Sequence, residues 1–202
     1  MEGQNKMKET NNLFPIFLKL ENFRVLIVGG GKVALEKLNA VLQNSPTTSI
    51  KIVSKEFDEE IKSLKRQHAN IELIEKEYEK SDFDNIDFVI AAVNDLELSK
   101  VIYNDAKSKK ILANVADKPE LCDFYLGAIV KKGNLKIAIS TNGKSPTIAR
   151  RLKEAFNELL PDELDELLDN MNAIRKELKF DFAAKIKKLN EITEVLVSKQ
   201  EN

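Results

Sequence analysis

Cysteine and histidine are almost absent from this sequence: 202 residues contain one of each, Cys122 and His68. A lone cysteine closes no internal disulfide, and one histidine beside it makes no structural zinc set, so no metal-ligand set is expected. The composition suits a reducing cytosol. Long apolar runs are also missing. A membrane span needs roughly 20 consecutive apolar residues, and the segment from Leu13 to Leu20 is interrupted by Pro15 and Lys19. On this reading the chain has no membrane span and no signal peptide. Nor does one sign of charge dominate. Lys and Arg number 32 against 33 Asp and Glu, a net charge of −1, which argues against a nucleic-acid partner.

What is present is a regular rhythm. Residues 1–12 are polar and aperiodic, as expected of a leader outside the chemistry. From Arg24 short β-branched runs alternate with amphipathic stretches, the pattern of βαβ units around a parallel sheet. Strands are expected at Arg24 to Val28, Ser49 to Ser54, Ile71 to Ile74, Phe88 to Val93 and Ile111 to Val115. Helices are expected at Val33 to Gln43, Phe57 to His68 and Leu96 to Lys109. After Pro119 the rhythm changes: Phe124 to Val130 and Leu135 to Ser140, joined by Lys131-Lys132-Gly133-Asn134, predict an antiparallel hairpin. Beyond Gly143 the pattern is helical, with Ser145 as N-cap, Pro146 at the first helical position and Pro161 as a break. Leu164, Leu167, Leu168, Met171, Ile174 and Leu178 continue it, and Ile186, Leu189, Ile192 and Leu196 suggest a further helix or packing arm.

Only seven glycines occur, and three of them form Gly29-Gly30-Gly31-Lys32-Val33-Ala34 directly after the first strand. This is G-x-G-x-x-A in the required place. The first glycine permits a tight turn, the second lets a pyrophosphate approach the backbone, and the small third residue packs helix on strand. Free N–H groups and the helix dipole then favour a diphosphate. The second strand ends in Ser54-Lys55-Glu56, where Glu56 suits the hydroxyls of a ribose and Lys55 a 2′-phosphate, so the residues leave NAD and NADP both open. Tyr103 and Lys107 have the Tyr-x-x-x-Lys spacing of short-chain dehydrogenases, but they lie one strand too early, and Tyr103 is read as packing on the sheet. His68 is read as a solvated helix end.

Five segments share an order and spacing: Phe14-Pro15-Ile16-Phe17, Gly29 to Ala34, Ala91-Ala92-Val93-Asn94-Asp95, Asn114-Val115-Ala116-Asp117-Lys118-Pro119, and Ser140-Thr141-Asn142-Gly143-Lys144-Ser145-Pro146. Together they resemble the siroheme synthase N-terminal family, precorrin-2 dehydrogenases of which some are also sirohydrochlorin ferrochelatases. The resemblance covers residues 13 to 178. It implies an α/β fold, a Rossmann-type parallel sheet over 13–117, a hairpin dimerisation region over 118–145 and a helical domain over 146–202. It further implies NAD-dependent oxidation of precorrin-2 to sirohydrochlorin by a cytoplasmic homodimer, with Fe2+ insertion to siroheme, a lyase step, left open. The chain is expected to lack a methyltransferase domain. Carried over, the cofactor contacts fall on Gly29, Gly30, Gly31, Lys32, Val33, Lys55 and Glu56, with Asn94 and Asn114 from their motifs. The catalytic aspartate falls on Asp117. Gly127 stands where the family often has proline, and Asn44 to Ser49 reads as a lengthened turn.

Oxidising a reduced tetrapyrrole sends a hydride to nicotinamide and a proton elsewhere. Asp117, just past the fifth strand, lies at the edge where parallel sheets bind ligands, and is read as proton acceptor or orienting group. The substrate is a polycarboxylate, and residues 124–153 hold Lys131, Lys132, Lys136, Lys144, Arg150, Arg151 and Lys153 without one Asp or Glu. Such a field steers a polyanion. Lys144, Ser145 and Arg150 are the candidate substrate contacts, Lys144 and Ser145 at a helix N-terminus. The rest of the chain keeps 25 basic side chains against 33 acidic, so the near-neutral total hides two unlike parts. Two other readings compete: a non-catalytic dinucleotide-sensing module, and a tetrapyrrole carrier.

Overall fold

The computed structural model describes residues 10–161, 164–177 and 182–193. The expected leader before Thr10, Leu178 and Leu196 lie outside the described residues. The chain divides into two units, Met1–Leu126 and Gly127–Asn202.

The first unit is built on five parallel strands, β1 (Arg24–Val28), β2 (Ser49–Ser54), β3 (Ile71–Glu75), β4 (Phe88–Ala91) and β5 (Leu112–Val115), in the order β3-β2-β1-β4-β5. Helices α1 (Lys32–Asn44), α2 (Glu59–Gln67) and α3 (Leu96–Ser108) alternate with them. Alternation along β1 divides the core. Val25 and Ile27 face Leu38 and Val41 of α1 and Ile61 of α2, whereas Leu26 and Val28 face Ile102 and Ala106 of α3. With helices on both faces, β1 from Val25 onward and the whole of β4 read as unbroken apolar runs. The sheet grows one way through β2 and β3 and the other through β4 and β5, so the order reverses between β1 and β4. That reversal is the place where open α/β sheets bind ligands.

Several strand ends differ from expectation: β3 runs one residue further, to Glu75, β5 begins one later, at Leu112, and the two hairpin strands end at Lys132, inside the expected turn, and at Ile139. β4 stops at Ala91 and not Val93, because the chain leaves the sheet there to reach the Asp95 cap of α3. The first hairpin strand begins at Ala128 and not Phe124. Phe124 belongs to the first unit, its ring edge-on to Phe88 at 5.7 Å. An apolar run shows that residues are buried but not in which core.

The second unit contains β6 (Ala128–Lys132) and β7 (Leu135–Ile139), antiparallel, and helices α4 (Pro146–Leu159), α5 (Leu164–Glu177) and α6 (Phe182–Thr193). The hairpin turn is the pair Gly133-Asn134, with Gly133 at φ 54°, the glycine a tight turn needs at its first central position. The Asp165 carboxylate of α5 accepts the Asn134 N–H at 2.6 Å. At Gly127 a Cβ would stand 2.7 Å from the Ile139 carbonyl oxygen, so the backbone approach at that point needs glycine. α4 packs on the hairpin with Val130 and Ala149 buried, and α6 packs on α5.

Candidate functional site

Where β1 and β4 end side by side, a cleft of about 470 Å³ is lined by Gly29, Gly30, Gly31, Lys32, Val33, Ser54, Ala92, Val93 and Asn94. The three glycines differ in what holds them. Gly29 adopts φ 121°, and a Cβ there would run into the Ala92 carbonyl. A Cβ on Gly30 would run into the Glu56 carbonyl and lie 2.8 Å from the Ser54 hydroxyl. Around Gly31 there is open space. The first two glycines are required by the protein's own packing, and the third leaves room for something else.

Gly31 is also the N-cap of α1 and brings no side chain to it. The starts of α2, α3 and α4 are capped by side chains: Asp58 accepts the Glu60 N–H, Asp95 those of Glu97 and Leu98, and Ser145 that of Ile148. The first N–H groups of α1 therefore face the cleft with the positive end of the helix dipole and no carboxylate or hydroxyl in place. This fits a dinucleotide diphosphate, and the buried Ala34 lets α1 approach the sheet as the third small position should.

Of the other expected contacts, Lys32, Val33 and Asn94 line this cleft. Lys55 and Glu56 follow Ser54 at the end of β2, where the Lys55 ammonium meets Glu77 at 2.6 Å. That hydrogen bond and charge raise the affinity of Lys55 for its proton, and hold Glu77 below the usual carboxylate value. Asn114 is buried on β5, where its Nδ2 donates to the Phe124 carbonyl at 2.8 Å and lies 3.5 Å from the Cys122 sulfur. Sequence reasoning missed Ser54, Ala92 and Val93. The signal for them was positional, since each lies at or just past the carboxyl end of a strand flanking β1.

Asp117 is exposed in the loop after β5, at φ 59°. The loop is anchored by Ala116, whose N–H donates to the Ala91 carbonyl at 2.9 Å, so Asp117 stands at the sheet edge that carries the cleft. A non-glycine residue in the left-handed region is uncommon, although aspartate tolerates it better than most. The adjoining Cys122 thiol is pushed up by burial, and it donates to the carbonyls of Val115 and Lys118.

In the second unit Lys144 and Arg150 are exposed, and Arg150 lies 3.8 Å from Glu154. Ser145 accepts the Ile148 N–H at 3.2 Å, so its oxygen already caps α4. Lys131 and Lys136 stand opposite each other across the hairpin. Tyr103 packs into the first unit's core and Lys107 pairs with Asp123 at 2.7 Å, which matches the packing role read from the sequence. Among the described residues no group of acids, histidine and cysteine could hold a metal, and no helix is long and apolar enough to cross a membrane.

Comparison with known proteins agrees with this geometry. Residues 16–128 match the family described as "Putative NAD(P)-binding", and residues 132–158 match "Sirohaem biosynthesis protein central". The chain belongs to the siroheme synthase N-terminal, NAD(P)-binding family. Within that family it is 39% identical over 168 residues to the siroheme synthase of Psychrobacter arcticus, covering 83% of this chain and 30% of that protein. It is 33% identical over 171 residues to that of Actinobacillus pleuropneumoniae serotype 3, covering 85% and 35%. The chain thus spans about a third of the curated relatives it matches. Among solved structures, SirC, a precorrin-2 dehydrogenase, superposes with a TM-score of 0.70 at 25% identity over 89% of both chains. The Rossmann-type sheet and hairpin inferred from the sequence are those observed.

Proposed function

We propose that the chain is a precorrin-2 dehydrogenase, oxidising precorrin-2 to sirohydrochlorin with NAD. The observation that carries this reading is the uncapped glycine turn at the strand-order reversal, with Asp117 on the same sheet edge. The likeness to SirC supports the choice of substrate.

When bound, the nicotinamide ring of NAD supplies the acceptor for the hydride that leaves the tetrapyrrole. The chain does the rest. The α1 N–H groups and dipole would hold the diphosphate, and Glu56 would accept from the ribose hydroxyls. The Asp117 carboxylate takes the proton that leaves the macrocycle, so that one hydride and one proton depart for each new double bond. Lys144 and Arg150 attract the substrate carboxylates, and Ser145 contributes by fixing the start of α4, next to Lys144. Asn114 serves the cofactor by holding the β5 end in place.

A homodimer, a cytoplasmic location and Fe2+ as a second substrate belong to the same proposal. Among the described residues the hairpin sheet has only two strands, so both of its edges are open to pairing with a second subunit. A single free cysteine supports a reducing compartment. Iron insertion would need a base for the pyrrole protons, and Asp117 is the candidate. The test is an anaerobic assay with precorrin-2 generated in situ, run with NAD and NADP separately and then with Fe2+. Sirohydrochlorin forming with NAD supports the dehydrogenase, and siroheme after Fe2+ supports the second step. Tight NADH binding without turnover would favour a dinucleotide sensor, and tetrapyrrole binding without redox change a carrier.

A further inference from the structure

Lys55 and Glu77 form an ion pair at the carboxyl end of the sheet. Lys55 follows the last residue of β2, and Glu77 lies two residues past the end of β3. The two ends are held together by the Ser54–Glu75 pairing and by the Lys76 N–H, which donates to the Ser54 carbonyl at 3.0 Å. The Lys55–Glu77 contact is short, 2.6 Å, yet both side chains are largely exposed, at 71% and 75%. A pair so exposed adds little to stability. Its position is more informative, because the residues just past the second strand of a Rossmann sheet read the ribose, where NAD has a free hydroxyl and NADP a phosphate.

Lys55 is the only basic residue from 54 to 60, in the sequence Ser-Lys-Glu-Phe-Asp-Glu-Glu. Lys76, next along β3's exit, is paired with Glu79 at 3.0 Å and with Asp82 at 3.1 Å. A free ammonium at Lys55 would be the natural partner of a 2′-phosphate. A carboxylate seated on it cancels that attraction and leaves Glu56 and its acidic neighbours to set the local field.

We propose that Glu77, acting through its ion pair with Lys55, is a specificity-determining residue that turns the ribose end of the site against a 2′-phosphate. This rests on the dinucleotide reading of the cleft and adds the residue that selects NAD over NADP. Glu77 is a positioning residue: Lys55 is the group that would meet the phosphate.

The experiment titrates NADH and NADPH into the purified full chain, following nicotinamide fluorescence. The unchanged protein is expected to bind NADH at least about tenfold more tightly. In Glu77→Gln the ratio of NADPH to NADH affinity should rise about five- to tenfold, and further in Glu77→Lys. Adding Lys55→Ala to Glu77→Gln should abolish that gain, and salt should shrink it, since the site is exposed. Melting temperatures confirm that all variants are folded. A ratio within about twofold of the unchanged protein in both Glu77 variants overturns the proposal, as does an unchanged protein that prefers NADPH. If the unchanged protein binds neither dinucleotide, the reading of the cleft itself fails; if it binds NADH and only the ratio stays fixed, only the role of Glu77 fails.

Discussion

The Nδ2 of Asn114 donates to the backbone carbonyl of Phe124 at 2.8 Å, joining the middle of β5 to the segment that leaves the first unit. Between these two residues run Asp117 and Cys122, so the bond closes a short loop that carries the candidate base. Asn114→Ala should cost about 1–3 kcal/mol, the range for orphaning a buried hydrogen-bonding group. Denaturant unfolding checks this. Turnover should fall further than NADH affinity in this variant, because the loop and not the glycine turn is loosened.

The glycine turn separates packing from binding. Gly29→Ala and Gly30→Ala should each destabilise the fold by about 1–3 kcal/mol or more, through strain and collision with the Ala92 and Glu56 backbone. Gly31→Ala meets open space and should cost no more than about 1 kcal/mol, the price of alanine at an N-cap. It should nonetheless weaken NADH at least about tenfold in titration calorimetry. Equal NADH affinity in a stable Gly31→Ala protein would mean that the diphosphate does not lie there.

For Asp117 the informative change is to asparagine, which keeps the shape and tolerates φ 59°. Asp117→Asn should lower kcat about 10²- to 10⁴-fold, the usual contribution of a positioned proton acceptor. NADH binding and melting temperature should stay near those of the unchanged protein. A loss confined to KM would instead assign Asp117 to substrate orientation.

Asp82 gives a pH dependence to stability. It is buried in a short 3₁₀ turn, its Oδ1 3.1 Å from both the Lys51 and Lys76 ammonium groups. Burial pushes its carboxyl up, but the Glu79 N–H and the two lysines more than offset this and hold it below the ordinary value. A lowered folded-state pKa contributes stability in full above the unfolded value, about pH 4, and loses it as pH falls through the lower folded value. Asp82→Asn should therefore lower stability at neutral pH by about 1–3 kcal/mol and flatten the acid limb of the curve. Urea midpoints from pH 7 down to about pH 3 would show it.

Cys122 should be inert in the folded protein. Burial raises its thiol and its Sγ is engaged by Val115 and Lys118, so little thiolate exists at neutral pH. An aromatic disulfide reagent should titrate no thiol in the native state and one after denaturation.

Much of this was legible in the sequence because the signals are local. The β-branched runs place five strands, and Gly29 to Ala34 place the turn, since both depend on residues adjacent in the chain. What was not legible depends on distant partners. Phe124 reads as a strand residue until its ring is seen edge-on to Phe88. Lys51 stands in the middle of β2, where a lysine has no local rationale, and its partner Asp82 is 31 residues away. Asn114 resembles a ligand contact by motif, yet its amide is engaged by a backbone carbonyl. Lys55 admits either dinucleotide on sequence alone, and only the approach of β3 brings Glu77 to it.

The most direct test of the central claim is the stoichiometry of the reaction under anaerobic conditions, with NADH and sirohydrochlorin measured together as precorrin-2 is consumed. The unchanged protein should form one NADH for each sirohydrochlorin, and Asp117→Asn should run at least about a hundredfold more slowly. NADH that binds tightly while precorrin-2 persists unoxidised would contradict that claim.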